Sequence, residues 1–115
     1  MIDFDRDTAF HDRVLDALSA RASASLKNIA AQNVPGYKRI EVRFEDRLRQ
    51  ALADGRDLGD VRPEVVRDTS GEPGQNNVSL LDEMTLLDKT RLVHDLMTRR
   101  AGSYFAQINR AIFGR

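Results

Sequence analysis

A turn sequence, Val34-Pro35-Gly36-Tyr37, separates two stretches in which apolar residues recur at helical spacing. Proline fixes its own φ and disfavours the helical region for Val34, so a regular helix cannot continue through this point. Pro35-Gly36 fits the central positions of a type II turn, because glycine accepts the positive φ required at the second of them. We expect Asn33 to end the preceding helix in the left-handed conformation.

The stretch before the turn predicts a helix from about Asp7 to Gln32, since apolar and small residues recur at spacings of three and four. These positions form a coiled-coil-like seam made of Leu15, Leu18, Ala22, Ser25 and Ile29. The small side chains in the middle would let a partner helix approach closely. An amphipathic helix in a simple bundle has the same pattern, so both interpretations stay open.

The second stretch predicts a helix from about Ser79 to Phe113, with Ser79-Leu80-Leu81-Asp82 as a capping-box type of start. Its seam consists of Leu80, Met84, Leu87, Ala101, Phe105, Ile108 and Ile112, with the polar residues Arg91, His94 and Thr98 in the same register. For His94 we favour a residue that fixes helix register over a pH sensor. A helix of roughly 33 residues is about 50 Å long. We expect other chains to cover part of its apolar surface.

The middle of the chain predicts a short excursion between the helices. Ile40, Val42 and Phe44 alternate with charged residues, as in a half-buried strand. A short helix follows, whose apolar face is formed by Phe44, Leu48, Ala51 and Leu52. A second extended piece is formed by Val61, Val65 and Val66. Asp68 to Gln75 is a turn-rich linker.

The fold class we predict is mainly α, with two long terminal helices pairing as an antiparallel coiled-coil-like hairpin around a short irregular or β excursion and a short helix. One domain is expected, divided into residues 1–36, residues 37–76 and residues 77–115.

Composition argues against several functions. The 115 residues include no cysteine, so thiolate chemistry and disulfides are excluded. No phosphate-binding loop and no metal-binding or catalytic cluster stands out, so we expect neither an enzyme nor a cofactor. No apolar run is long enough to span a bilayer, and the aspartate-rich N-terminus does not resemble a Sec signal peptide. The basic residues near the C-terminus are dispersed, which disfavours nucleic-acid binding.

The charges are sorted along the chain although the net charge is zero. Residues 1–16 hold five acidic and two basic residues, and residues 17–53 hold three acidic and seven basic residues. Residues 54–88 hold nine acidic and three basic residues, and residues 89–115 hold one acidic and six basic residues. Blocks of alternating sign would favour head-to-tail attraction between copies of the chain. Acidic residues also favour helix starts and basic residues helix ends, so this simpler explanation stays open.

Two motifs resemble those of bacterial flagellar rod and hook proteins. The run from Asn28 to Lys38 is similar to the family's Asn-hydrophobic-Ala-Asn-x-x-Thr-Pro-Gly-aromatic-basic, and the run from Asn76 to Met84 to its Asn-Asn-Val-Asp-x-x-x-Glu-Met. The matching residues are Asn28, Ile29, Ala30, Asn33, Pro35, Gly36, Tyr37 and Lys38, followed by Asn76, Asn77, Val78, Glu83 and Met84. Ala31, Val34 and Ser79 depart from the pattern. The first two lack side-chain hydrogen bonds that could brace the turn.

The resemblance implies a structural protein without catalysis, and the short insert favours a member of the proximal rod. Such proteins leave the cytoplasm unfolded through the flagellar type III export apparatus, without a cleaved signal. They assemble in the periplasm with copies of themselves and other rod proteins, next to the export gate and the ring–rod adaptor. The alternative hypothesis is a cytoplasmic helical-hairpin adaptor or regulator that binds a partner helix.

Overall fold

The computed structural model describes residues 4–113, and the side chains of residues 7–99 and 110 among them. Its elements are helix α1 (Phe4–Ala30), strand β1 (Ile40–Arg43), helix α2 (Glu45–Asp54), a 3-10 turn (Leu58–Asp60), strand β2 (Glu64–Arg67) and helix α3 (Leu80–Phe113). The predicted fold class is confirmed, because most residues are helical and the small sheet lies between the two long helices.

The long helices α1 and α3 pack against each other. The side chain of Asn76, just before α3, binds a carbonyl at the end of α1, 2.8 Å away at Ala31. Met97, in the second half of α3, packs on the same core cluster as Phe10 and Val14 from the first half of α1. The start of α3 therefore lies beside the end of α1, and the helices are antiparallel, as predicted.

The chain leaves α1 through consecutive tight turns. The amide of Gln32 donates to the carbonyl of Ile29 at 3.3 Å, and the amide of Val34 donates to that of Ala31 at 3.0 Å. Positive φ is reached at Gly36, at 73°, within a turn closed by the amide of Tyr37 on the carbonyl of Val34 at 3.3 Å. This position of the glycine and this hydrogen bond match the predicted type II turn.

The prediction for Asn33 is wrong, because no residue other than glycine has positive φ within residues 4–113. Short i+3 hydrogen bonds unwind the helix end without a left-handed residue. The backbone first reaches positive φ after α1 at Gly36.

Strands β1 and β2 form an antiparallel pair in which Ile40 faces Arg67 and Val42 faces Val65. The side chain of Val42 points into the core and is 4% exposed. Phe44 leaves the strand and precedes the first residue of α2, so the predicted alternation ends one residue early. Strand β1 confirms the first predicted extended piece, and β2 contains Val65 and Val66 of the second but not Val61. The two strands are connected through α2 and the 3-10 turn, and we call the antiparallel pair the β1–β2 hairpin.

The core combines α1 with the middle of the chain. Its buried members are Ala17, Leu18, Ala24, Val42, Phe44, Leu48, Ala51 and Leu58. Leu58, from the 3-10 turn, is only 2% exposed. The middle segment therefore supplies much of the buried apolar surface that stabilises the fold. Leu52, which we placed on the apolar face of α2, is 39% exposed.

Helix α3 begins where the capping pattern predicts. The hydroxyl of Ser79 accepts from the amide of Asp82 at 3.3 Å, and its carbonyl accepts from the amide of Glu83 at 2.9 Å. With 34 residues, the helix is about 51 Å long. None of the helices within residues 4–113 combines the length and the apolar character that crossing a membrane requires.

Candidate functional site at the joint between the helices

Three asparagine side chains hold the joint, which we define as the place where the end of α1, the β1–β2 hairpin and the start of α3 meet. Asn28 belongs to α1, whereas Asn76 and Asn77 lie just before α3 and are separated from it by Val78 and Ser79. An amide side chain carries a donor and an acceptor, so it can replace a backbone partner. Each of the three asparagines does this at a different edge of the joint.

Asn28 binds the first residue of β1 as a neighbouring strand would. Its Nδ2 donates to the carbonyl of Ile40 at 2.8 Å, and its Oδ1 accepts from the amide of Ile40 at 2.9 Å. The hydroxyl of Tyr37 donates to the same Oδ1 at 3.0 Å. Asn28 is 0% exposed, so these bonds replace all of its contact with water. They attach α1 to the hairpin.

Asn76 caps the end of α1 from a distant part of the chain. Its Nδ2 lies 2.8 Å from the carbonyl of Ala31, 3.1 Å from that of Gln32 and 2.8 Å from that of Val34. These carbonyls lie just past the last residue of α1, where no further helical turn supplies donors. Those of Ala31 and Val34 also accept from backbone amides of the turns, so the side chain of Asn76 adds a second donor there. Its Oδ1 accepts from the amide of Val78 at 2.8 Å, which shapes the entry to α3. Two of the braced carbonyls belong to the residues that depart from the family pattern.

Asn77 joins the hairpin to the linker that follows it. Its Oδ1 accepts from the amide of Arg39 at 2.7 Å, and its Nδ2 donates to the carbonyls of Asp68 at 2.6 Å and Ser70 at 3.2 Å. Its own amide donates to the carbonyl of Tyr37 at 3.2 Å. The linker is thus held to the chain segment that leaves the turn.

Arg39 adds an ionic contact to these amide bonds. Its Nε donates to Oε1 of Glu83 at 2.6 Å, and its Nη1 lies 3.3 Å from Asp68 and 3.4 Å from Glu41. Burial alone would lower the pKa of Arg39, yet the carboxylates of Glu83 and Asp68 hold it above its ordinary value. The guanidinium therefore stays charged. This matters because Glu83 is 1% exposed, and a buried carboxylate without a partner is strongly destabilising.

Sequence reasoning placed Glu83 in the second motif but missed Arg39 and Asp68. The alternation around β1 put Arg39 on the polar side of a strand, which is ordinarily solvated. Its main partner lies 44 residues away. No local pattern indicates such a pairing.

The turn residues of the first motif complete the joint. Gly36 approaches the linker so closely that a Cβ built on it would lie 3.5 Å from the carbonyl oxygen of Gly74. The guanidinium of Arg67 lies over the ring of Tyr37, 5.2 Å from its centre. Lys38 donates from Nζ to the carbonyl of Glu72 at 2.8 Å. The two motifs, far apart in sequence, therefore build one structural site.

The described side chains of the joint hold three segments of the chain together. Its asparagine and arginine side chains bind backbone groups or carboxylates, whereas Oε2 of Glu83 is buried without a hydrogen-bond partner among the described residues. Among the described residues, no group of histidine, aspartate and glutamate side chains is arranged to hold a metal ion. What the arrangement can do is fix the direction in which α1 and α3 leave the hairpin.

Comparison with known proteins identifies the family. No protein-family model matches the chain. In an alignment 132 positions long, the chain is 33% identical to the flagellar basal body rod protein FlgB of Borreliella burgdorferi. The alignment covers 95% of this chain and 97% of that protein. The chain belongs to the FlgB family. It is also 28% identical over 128 residues to FlgB of Borrelia hermsii, which covers 92% of this chain and 95% of the relative.

Membership of the FlgB family confirms the resemblance that the two motifs indicated. It makes this chain a structural component of the flagellar basal body rod. The remaining FlgB motif residues surround the joint with varied burial. Ile29 is half-buried, and Ala30, Asn33, Pro35 and Met84 are exposed.

The predicted assembly seam of this FlgB-family chain divides between buried and exposed positions. Leu18 and Leu87 are buried, at 5% and 7% exposure, whereas Leu80 and Met84 are 40% and 50% exposed. Leu15, Ala22 and Ile29 are half-buried, and so is His94. The side chains of Ala101, Phe105, Ile108 and Ile112 lie outside the described residues. Ser25, also predicted in the seam of α1, is buried at 1% exposure, and outside the seam α1 buries Ala17, Ala24 and Asn28.

Replacing Asn28 with aspartate tests the amide bonds of the joint. In Asn28→Asp the donor to the carbonyl of Ile40 is lost and a carboxylate enters a site with 0% exposure. We expect the free energy of unfolding to fall by about 2–4 kcal/mol. Urea denaturation followed by circular dichroism measures it. The matched control is Asn33→Asp on the exposed turn, which should change stability by less than about 0.5 kcal/mol. Equal losses in the two variants would contradict this role of Asn28.

The Asp68 carboxylate makes the stability of the joint depend on pH. Hydrogen bonds from Ser70, and then the neighbouring Arg39 guanidinium, hold the pKa of Asp68 below its ordinary value. A lowered pKa contributes stability that is fully present above the unfolded-state value, about 3.9, and is lost as pH falls through the folded-state pKa. Asp68→Asn should therefore be less stable than the parent at pH 7, and the difference should shrink as pH falls below about 4. Urea midpoints measured from pH 7 to pH 2 check this. A difference that does not vary with pH would exclude the carboxylate charge as its cause.

Proposed function

We propose that this chain is a subunit of the proximal part of the rod, the periplasmic drive shaft of the flagellum, and that it assembles through its terminal helices. The observation that carries the proposal is the 33% identity to a FlgB across 95% of the chain. Its neighbours in the assembly would be copies of itself and other rod proteins. By family resemblance, the export gate and the ring–rod adaptor lie next to it, and the chain travels through the type III export apparatus without a cleaved signal.

The exposed apolar side chains of α3 support assembly through helices. One face of it packs inside the subunit with Glu83, Leu87 and Thr90, which are buried. On the opposite side, Leu81 is 75% exposed and Leu92 60% exposed. Covering one such leucine side chain completely is worth about 1.5–3 kcal/mol. Contact with neighbouring helices would therefore stabilise an assembly substantially.

The joint supports the same proposal because it fixes the directions of the two long helices. A shaft that transmits torque needs subunits whose helices keep a constant direction. At the joint that direction is fixed by buried amide bonds and by the Arg39–Glu83 ion pair at 2.6 Å. Bonds of this kind constrain the helix ends more strongly than contacts between exposed side chains do.

The location of the chain tests the proposed function directly. Basal bodies purified from the source bacterium are probed with an antibody against this chain, and a deletion strain is scored for swimming. We expect the chain in the basal-body fraction and loss of motility on deletion. A chain found only in the cytoplasm, with motility unaffected, would overturn the rod proposal and favour the helical-hairpin adaptor.

Substitution of Gly36 tests whether the joint serves assembly as well as folding. Its φ of 73° is poorly accepted by a β-branched residue, so Gly36→Val should distort the turn. We expect normal expression but loss of the chain from the basal-body fraction, which quantitative immunoblotting measures.

The matched control for this substitution is Gly55→Val. Gly55 ends α2 with a φ of 67°, and a Cβ there would meet no atom within 4 Å. Both variants carry similar backbone strain, but Gly55 lies away from the joint. Equal loss of both variants from basal bodies would attribute the defect to general instability and would contradict an assembly role for the joint.

A further inference from the structure

An open groove runs beside the end of α1, between that helix and the β1–β2 hairpin. This hairpin groove has a volume of about 590 Å³, and the residues lining it include Lys27, Ala30, Val34, Tyr37, Val65 and Arg67. Two of its apolar side chains are strongly exposed, Val34 at 48% and Val65 at 60%. Apolar surface presented in a concave site favours a partner that removes it from water.

The charges at the edge of the hairpin groove have one sign. Among the described residues that line it, the ionised side chains are Lys27 and Arg67, and both are basic. Lys27 has no ion-pair partner among the residues with described side chains. Arg67 is held in place by the carbonyl of Lys38 at 2.7 Å and by the ring of Tyr37. The groove therefore favours an apolar segment that also carries acidic side chains.

The outer face of α3 has this chemistry. We define it as Leu81, Met84, Asp88, Leu92 and Leu96, whose spacings of three and four place them on one side of the helix. The four apolar side chains are 75%, 50%, 60% and 55% exposed, in that order. Asp88 lies among them, exposed, and forms no ion pair with any described side chain. None of the α3 residues with described side chains lines the hairpin groove, so one chain presents the two as separate surfaces.

We propose that the hairpin groove of one copy of this chain binds the outer face of α3 of a second copy. The leucines would enter the apolar groove, and Asp88 would meet its basic edge. Because the two copies use different surfaces, the contact is heterologous and can repeat from copy to copy. The inference rests on the rod function proposed above, since it names the partner that covers the exposed face of α3.

Engineered cysteines test the contact in the complete assembly. The chain has no cysteine of its own, so any link comes from the introduced residues. Two differently tagged copies are expressed together in the source bacterium, one with Val65→Cys in the groove and one with Leu81→Cys on the outer face. Basal bodies are oxidised, purified and analysed on non-reducing gels. Because each copy carries its own tag and one cysteine, a disulfide-linked product that contains both tags must join two chains. We expect this product in high yield.

A matched control moves the groove cysteine to an exposed position on α2. Gln50→Cys paired with Leu81→Cys should give at least a fivefold lower yield of the mixed link. The inference is overturned if both tagged chains reach the basal body but the Val65–Leu81 pair links no better than the control. It is also overturned if the groove cysteine captures only a different protein. If neither tagged chain is found in basal bodies while both are expressed, the proposed rod function itself fails, and the inference with it.

Charge reversal gives a second, independent readout of the same link. Lys27→Glu on the groove copy should lower the yield about two- to tenfold, by placing like charges together. Adding Asp88→Lys to the outer-face copy should restore it. Lys27→Glu placed on the outer-face copy instead should leave the yield unchanged, because that copy does not supply the groove. Equal effects for both placements, or no restoration, would contradict the proposed pairing.

Discussion

The carbonyl groups just past the end of α1 can accept hydrogen bonds from outside the helix, and the arrangement of the whole subunit depends on which donor they receive. Solvent could satisfy them, but it would leave the direction of the following chain undefined. Instead, the amide of Asn76 reaches three of these carbonyls at 2.8–3.1 Å. That one side chain brings the start of α3 to the end of α1. The antiparallel pairing of the long helices then follows from the connection.

The same physical solution recurs at the other edges of the joint. Asn28 takes the place of a strand beside Ile40, and Asn77 takes the place of a backbone partner for Arg39. Asparagine suits this role because its short side chain offers both a donor and an acceptor with little conformational freedom to lose. A lysine or glutamate would supply only one of the two functions. Asn28, Asn76 and Asn77, which bind backbone groups in this way, all belong to the two motifs that carry the family resemblance.

Local features of the fold could be predicted from the sequence because local rules govern them. Pro35-Gly36 dictates a turn through the φ values of two residues, and Ser79 starts a helix by accepting amides three and four positions ahead. The contacts of Arg39 and Asn76 could not be predicted in this way, since their partners lie 44 and 45 residues distant. The error at Asn33 has a related cause. A left-handed residue is one local way to end a helix, but here a donor from elsewhere in the chain makes it unnecessary.

The burial of Glu83 has a consequence for the order in which the subunit acquires its structure. Glu83 Oε1 binds Arg39, whereas Oε2 is buried without a hydrogen-bond partner among the described residues. A chain that ends before residue 76 would keep the Asn28 bonds that attach α1 to the hairpin, but it would lack Asn76, Asn77 and Glu83, which bring α3 to the joint. The N-terminal two thirds can therefore fix α1 against the hairpin, but the direction of α3 relative to both is set only when the last third is present. The far end of the polypeptide thus completes a site whose first half is built by the near end.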